Sequence, residues 1–167
     1  MREVVCNYAI ARFRPYRETG EFVNVGVVLV CPEAGCFDYL FEMGDCQRVT
    51  SFFPRLDVKV FSAGRDGLLK ELARVTTRER EEHSAPTALR EGASGSLARF
   101  RELVRPREAL FIFSEVRTVL AVDPRAKLEE IFHFCTQRQP APDPFAGLAH
   151  EIDRPLHQPS TINHQPP

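Results

Sequence analysis

The stretch RFRPYRETGEFVNVGVVL, Arg12–Leu29, sets three arginines and two glutamates around a bend and follows them with an apolar run broken by one asparagine. Pro15 fixes the entry of the bend, and Gly20 allows the positive φ with which the chain turns back. The stretch therefore reads as a hairpin. A turn centred between Arg17 and Glu18 places Arg14 opposite Glu21 and Ala11 opposite Asn24, whereas a shift of one residue places Arg12 opposite Asn24. In either register arginines leaving one strand meet acids entering the next, a type of pair that contributes roughly 0.2–1 kcal/mol.

Upstream, Val4–Phe13 reads as a strand whose even positions Val4, Cys6, Tyr8 and Ile10 share a face. Downstream, Phe22–Cys31 reads as a second strand, with Val23, Val25, Val27, Leu29 and Cys31 on one face and Asn24, Gly26, Val28 and Val30 on the other. Apolar residues on both faces place it centrally in a sheet. After the turn Pro32-Glu33-Ala34-Gly35, residues Cys36–Met43 alternate Phe37, Tyr39, Phe41 and Met43 against Asp38 and Glu42, as a strand with one wet face does. Three strands on short connections form an antiparallel meander.

The period then changes to that of a helix. Val49, Phe52, Phe53 and Leu56 share a face behind Asp45 as N-cap, and a second helix is expected from Asp57 to about Val75 despite Gly64 and Gly67. Thr76–Ser96, with its charge run and Gly92-Ala93-Ser94-Gly95, reads as an exposed linker, and Leu97, Phe100, Leu103 and Val104 as a short helix. Leu110–Val122 reads as extended, interrupted at Ser114-Glu115. Asp123-Pro124 then pairs an N-cap acceptor with proline at the first helical position, ahead of the stripe Leu128, Ile131, Phe132 and Cys135. From Gln139 onward seven of 29 residues are proline, a composition that buries too little apolar surface to offset ordering entropy.

The expected organisation is one α+β domain over residues 1–138, with an antiparallel sheet of about four strands, helices mainly on one face, and a proline-rich disordered tail over 139–167. The 22 basic and 23 acidic residues leave a formal charge of −1, so no global field draws the chain to nucleic acid or anionic lipid. No segment approaches the ~18 uninterrupted apolar residues of a spanning helix. The N-terminus lacks a secretory cleavage pattern, and a cytoplasmic chain is expected. The five cysteines form no Cys-x-x-Cys pair and read as reduced, buried thiols.

The chemistry-bearing candidates are Arg12, Arg14, Glu21 and Asn24. Asn24 either satisfies the backbone of the bend or projects with Arg12 and Glu21 into a small polar pocket, where arginine forks suit phosphate or carboxylate. Asp38 and Glu42 are the alternative, as metal ligands of a phosphodiester chemistry, although no compact ligand motif supports a metal and no cofactor is expected. His133, set between phenylalanines on the last helix, reads as a packing or surface residue, and no phosphate loop or nucleophile elbow is present.

Tyr8-Ala9, Arg12, Pro15, Gly20-Glu21-Phe22, Asn24-Val25-Gly26-Val27 and Asp123-Pro124 together resemble a bacterial family catalogued as domain of unknown function 3037. The resemblance spans roughly Val4–Gln137 and carries no assigned activity or catalytic residues. It implies a partner: members are often encoded beside a protein resembling the HipA-type kinases. Two functions are therefore expected, a non-enzymatic accessory module acting on a kinase-like neighbour, or a nucleotide- or nucleic-acid-processing enzyme built on Arg12, Arg14, Glu21 and Asn24.

Overall fold

Strands β1 (Val4–Phe13) and β2 (Val23–Cys31), apolar on both faces, lie side by side in the middle of one antiparallel sheet. The computed structural model describes residues 2–44, 46–89 and 91–136. In chain order, β3 (Cys36–Phe41) completes the meander; α1 (Gln47–Phe52), α2 (Val58–Ser84) and α3 (Gly92–Leu103) follow. Then come β4 (Phe111–Phe113), β5 (Arg117–Ala121) and α4 (Pro124–Thr136). The strand order is β3-β2-β1-β4, with β5 also on β1.

The expected sheet of about four strands has five among the described residues, set in four ranks. β4 pairs with Ala11–Phe13 and β5 with Val4–Tyr8, one after the other along the same edge of β1. The break falls at the polar residues that suggested it. Ile10 N–H donates to the Ser114 hydroxyl at 2.9 Å, so a side chain accepts a bond that a strand carbonyl would otherwise take.

One feature of β2 departs from the period-2 reading. Ala11 is opposite Gly26 while Arg12 is opposite Asn24, so Val25 is an extra residue in β2 and the ladder bulges there. The bulge moves Val23, Val25, Val28 and Val30 to one face and Val27, Leu29 and Cys31 to the other. The continuous face expected from Val23 to Cys31 does not exist.

Among the described residues, helices α1, α2 and α3 cover the first face and α4 covers the second. On the first face Phe13 is the hub: its ring stands edge-on to Phe61 of α2 at 5.0 Å and to Phe53 after α1 at 6.1 Å. Phe52, expected on that face, is 54% exposed because α1 ends there. Met43 lies beyond β3 and is likewise exposed. On the second face Leu128 is fully buried against Cys6 and Leu29, with Ile131, Phe132 and Cys135 beside it. Asp123 caps α4 as its sequence implies, its Oδ1 accepting from the Arg125 N–H at 2.9 Å.

The linker expected over Thr76–Ser96 is mostly helix. α2 runs to Ser84 and α3 begins at Gly92, the Gly-Ala-Ser-Gly segment forming its first turn. The reason is tertiary. Glu79, in the middle of the charge run, is buried between the two helices, accepting from Ser96 Oγ at 2.8 Å and from Arg99 Nε at 2.5 Å. Asp45, expected as the cap of α1, and the proline-rich segment 139–167 lie outside the described residues. None of the described helices is long and apolar enough to cross a membrane.

Candidate functional site

The bend between β1 and β2 closes with Gly20 at φ +71°, the left-handed region that glycine enters without a Cβ penalty. Of the two registers, the one realised places Arg12 opposite Asn24. Directly opposite residues of an antiparallel pair share a face, and here that face is the one covered by α4.

Asn24 does not bind the backbone of the bend. Its Nδ2 donates to the Cys135 carbonyl at 3.4 Å, tying the last turn of α4 to the hairpin, while its Oδ1 is buried without a partner among the described residues. Its own carbonyl accepts from Arg48 Nε at 3.3 Å, which satisfies β2 beyond the point where β3 has ended. Arg12 lays its guanidinium over the Phe22 ring, 4.4 Å from the centroid, and its Nε is buried and unpartnered. Burial first, and then the nearby Arg117 guanidinium, lower the Arg12 pKa from its ordinary value. Among the described residues no carboxylate pairs with Arg12 or Arg117.

The remaining two candidates stand apart from this pair. Arg14 turns to Glu108 at 3.7 Å and shares it with Arg17, while its backbone N–H donates to Leu110. Glu21 is exposed, with its backbone N–H on Thr19 Oγ1 and no ion pair among the described residues. Arg12 and Asn24 are therefore brought together; Arg14 and Glu21 are not. The site gains three residues that the hairpin alone does not announce: Phe22 beneath Arg12, Arg117 from β5 and Cys135 from α4. The last two lie about a hundred positions away, and only the fold returns them.

The alternative acids are already committed or separate. Asp38 holds Arg125 of α4 at 2.6 Å and accepts from the Tyr39 N–H, so it braces α4 against β3. Glu42 lies past β3, its N–H on the Val25 carbonyl. Among the described residues no group of three His, Cys, Asp or Glu is arranged to hold a metal ion. The thiols Cys6, Cys31 and Cys36 sit together under α4, Cys31 directly opposite Cys36. Burial, with neighbouring Cys31, pushes the Cys6 thiol up to about 12, and burial raises Cys36 and Cys135, the direction in which apolar packing moves a thiol. His133 is exposed on α4 beside Phe132.

Among the described residues the site brings no acid and base together. It offers a desolvated guanidinium on an aromatic face, a second guanidinium nearby and one unused amide oxygen. In comparisons with known proteins, the family model described as Protein of unknown function (DUF3037) matches residues 8–135. No curated protein and no solved structure matches the chain.

Proposed function

We propose that this chain, which belongs to the family of unknown function DUF3037, is a non-enzymatic accessory module that works by protein contact, with a HipA-like kinase as its partner. The observation that carries the reading is an apolar corner of the sheet that no helix covers among the described residues. Val5 and Leu120 are directly opposite on the face that α1–α3 cover elsewhere, and they are 40% and 54% exposed, with Val122 two residues further at 44%. Aliphatic groups adjoining a sheet face without a helix over them favour a partner that completes the layer. The committed state of the acids and the raised thiols support the same reading. The partner's class comes from the family resemblance.

The test is co-expression with a HipA-like kinase, followed by size-exclusion chromatography. Co-elution is expected, and Leu120→Glu with Val122→Glu, both at exposed positions, should abolish it. A kinase that elutes separately at micromolar concentration defeats the proposal.

One observation favours a second reading, a nucleotide or other phosphate ligand at the hairpin: the unneutralised Arg12 and Arg117 beside the unpartnered Asn24 Oδ1. Melting of the wild type and of Asn24→Ala with ATP and Mg²⁺ decides it. A rise in the wild type that the variant lacks supports the ligand; no rise in either removes it.

A further inference from the structure

The backbone of β4 is half used. Arg14 N–H donates to the Leu110 carbonyl at 2.7 Å, Ser114 N–H donates to the Ile10 carbonyl at 2.9 Å, and Arg12 is opposite Ile112 between them. These three are the hydrogen-bonded pairs of an antiparallel ladder, in which such pairs alternate with unbonded ones. Phe111 and Phe113 therefore turn their N–H and C=O groups away from β1, toward an edge that no strand occupies among the described residues.

A groove of about 350 Å³ opens along the same edge, lined by Leu68 of α2, Leu103 of α3, Phe111 and Phe113, with Arg105 and Arg107 at its rim. Gly64 lets α2 approach closely: a Cβ there would fall 2.8 Å from the Phe111 ring. The rim is net positive. Arg105 and Arg107 share a single carboxylate, Glu102, at 3.6 and 3.5 Å, and the groove's own Glu71 is held by Arg74 at 2.9 Å.

We infer that this edge and groove dock an extended segment of a partner protein in which a short apolar run is flanked by acidic residues. The segment adds as a short strand to β4, bonding the Phe111 and Phe113 backbones. Its apolar side chains enter between Leu68, Leu103 and the phenylalanine rings, and its carboxylates meet Arg105 and Arg107. Main-chain bonds supply the grip and the side chains the selection, while the rim charge sets which segments associate. The inference rests on the reading of the chain as a contact module and names the chemistry of one contact.

The probe is a blocked peptide of a few valines flanked by aspartates, with the same valines flanked by lysines as the control, added to the full chain. Binding is followed by fluorescence anisotropy and by hydrogen exchange at the Phe111 and Phe113 amides. The expected result is fast exchange of both amides in the isolated chain, slowed by the aspartate peptide, and binding of the lysine peptide about tenfold weaker. The exposed double variant Arg105→Glu with Arg107→Glu should reverse the preference without changing the melting temperature. Equal binding of both peptides, or none, overturns the inference. Protection that appears only with dimerisation overturns it in favour of a second copy, and protection already present in the monomer overturns it in favour of the chain's own residues. The two proposals fail separately: a kinase that co-elutes while neither peptide binds removes only the groove, and a peptide that binds without kinase co-elution removes only the kinase.

Discussion

Gly26→Ala tests the bulge and the packing it creates. Gly26 lies in the middle strand with Ala11 on one side and Phe41 on the other, and the Phe41 ring lies over the place where a side chain would start. An added Cβ would stand 2.7 Å from Phe41 Cγ and Cδ1 and 2.8 Å from the Leu40 carbonyl oxygen. Carbon contacts settle near ~3.5–4.0 Å, so the space is short by roughly 1 Å. The ring is buried, and the carbonyl belongs to the β3 backbone, so neither yields freely. Overpacking of this kind costs about 1–3 kcal/mol, and the reduced entropy of the unfolded alanine chain returns about 0.4–1 kcal/mol. A net loss of about 1.3 kcal/mol lowers the melting temperature by about 5 °C for a domain of this size. Adding Phe41→Leu should cost less in the Gly26→Ala background than in the wild type, since part of the clash is with the ring. Gly67→Ala is the contrast: it is exposed in α2 with no atom within 4 Å of the added carbon, and should gain up to about 1 kcal/mol. Melting of Gly26→Ala within 2 °C of the wild type, roughly the shift of a fraction of a kcal/mol, would refute the facing of Gly26 toward Phe41.

Three further outcomes are expected. Glu79→Ala leaves Arg99 with Glu91 alone and takes the acceptor from the Ser96 hydroxyl, and should cost about 1–3 kcal/mol in chemical denaturation; a loss of a few tenths would mean that the buried pair does not hold these helices together. Asp123→Ala removes the acceptor at the start of α4 and should cost about 1 kcal/mol, measured in the same way, and no loss would contradict the cap. Cys6 has its thiol raised from 9.0 to about 12 in the fold, so folded and unfolded chains both hold the proton below pH 9, and the unfolded chain releases it first as pH rises. Stability should therefore fall between pH 9 and 12. A Cys6→Ala variant should lose less over that interval, and matching slopes would dismiss the thiol as the cause.

The parts of the fold legible in the sequence are those whose signal is local. Asp123-Pro124 carries its own cap chemistry, and the meander follows from short turns joining apolar runs. The bulge at Val25 was not legible because residues 23–31 are apolar on both faces, and a period of two conveys nothing when either face can be buried. Thr76–Ser96 misled for the opposite reason: glycines and a charge run are poor local evidence for helix. They form α2 and α3 because Glu79 meets Ser96 and Arg99 across the pair. At the site, the meeting of Arg12 and Asn24 follows from hairpin register alone. The diversion of Arg14 to Glu108, and the arrival of Arg117 and Cys135, depend on distant segments that no spacing near the hairpin records.

The strand at the centre of the sheet acquires its two neighbours at very different times during synthesis. β2 emerges almost at once, but 104 residues separate Ile10 from the serine that receives its N–H. At translation rates of roughly 5–20 residues per second, the open side of β1 waits about 5–20 s on the ribosome before its last partner exists. Over that interval a nascent chain exposes backbone and aliphatic surface that the finished protein keeps internal, so its yield in the cell depends on what shelters that side until residues 111–121 arrive.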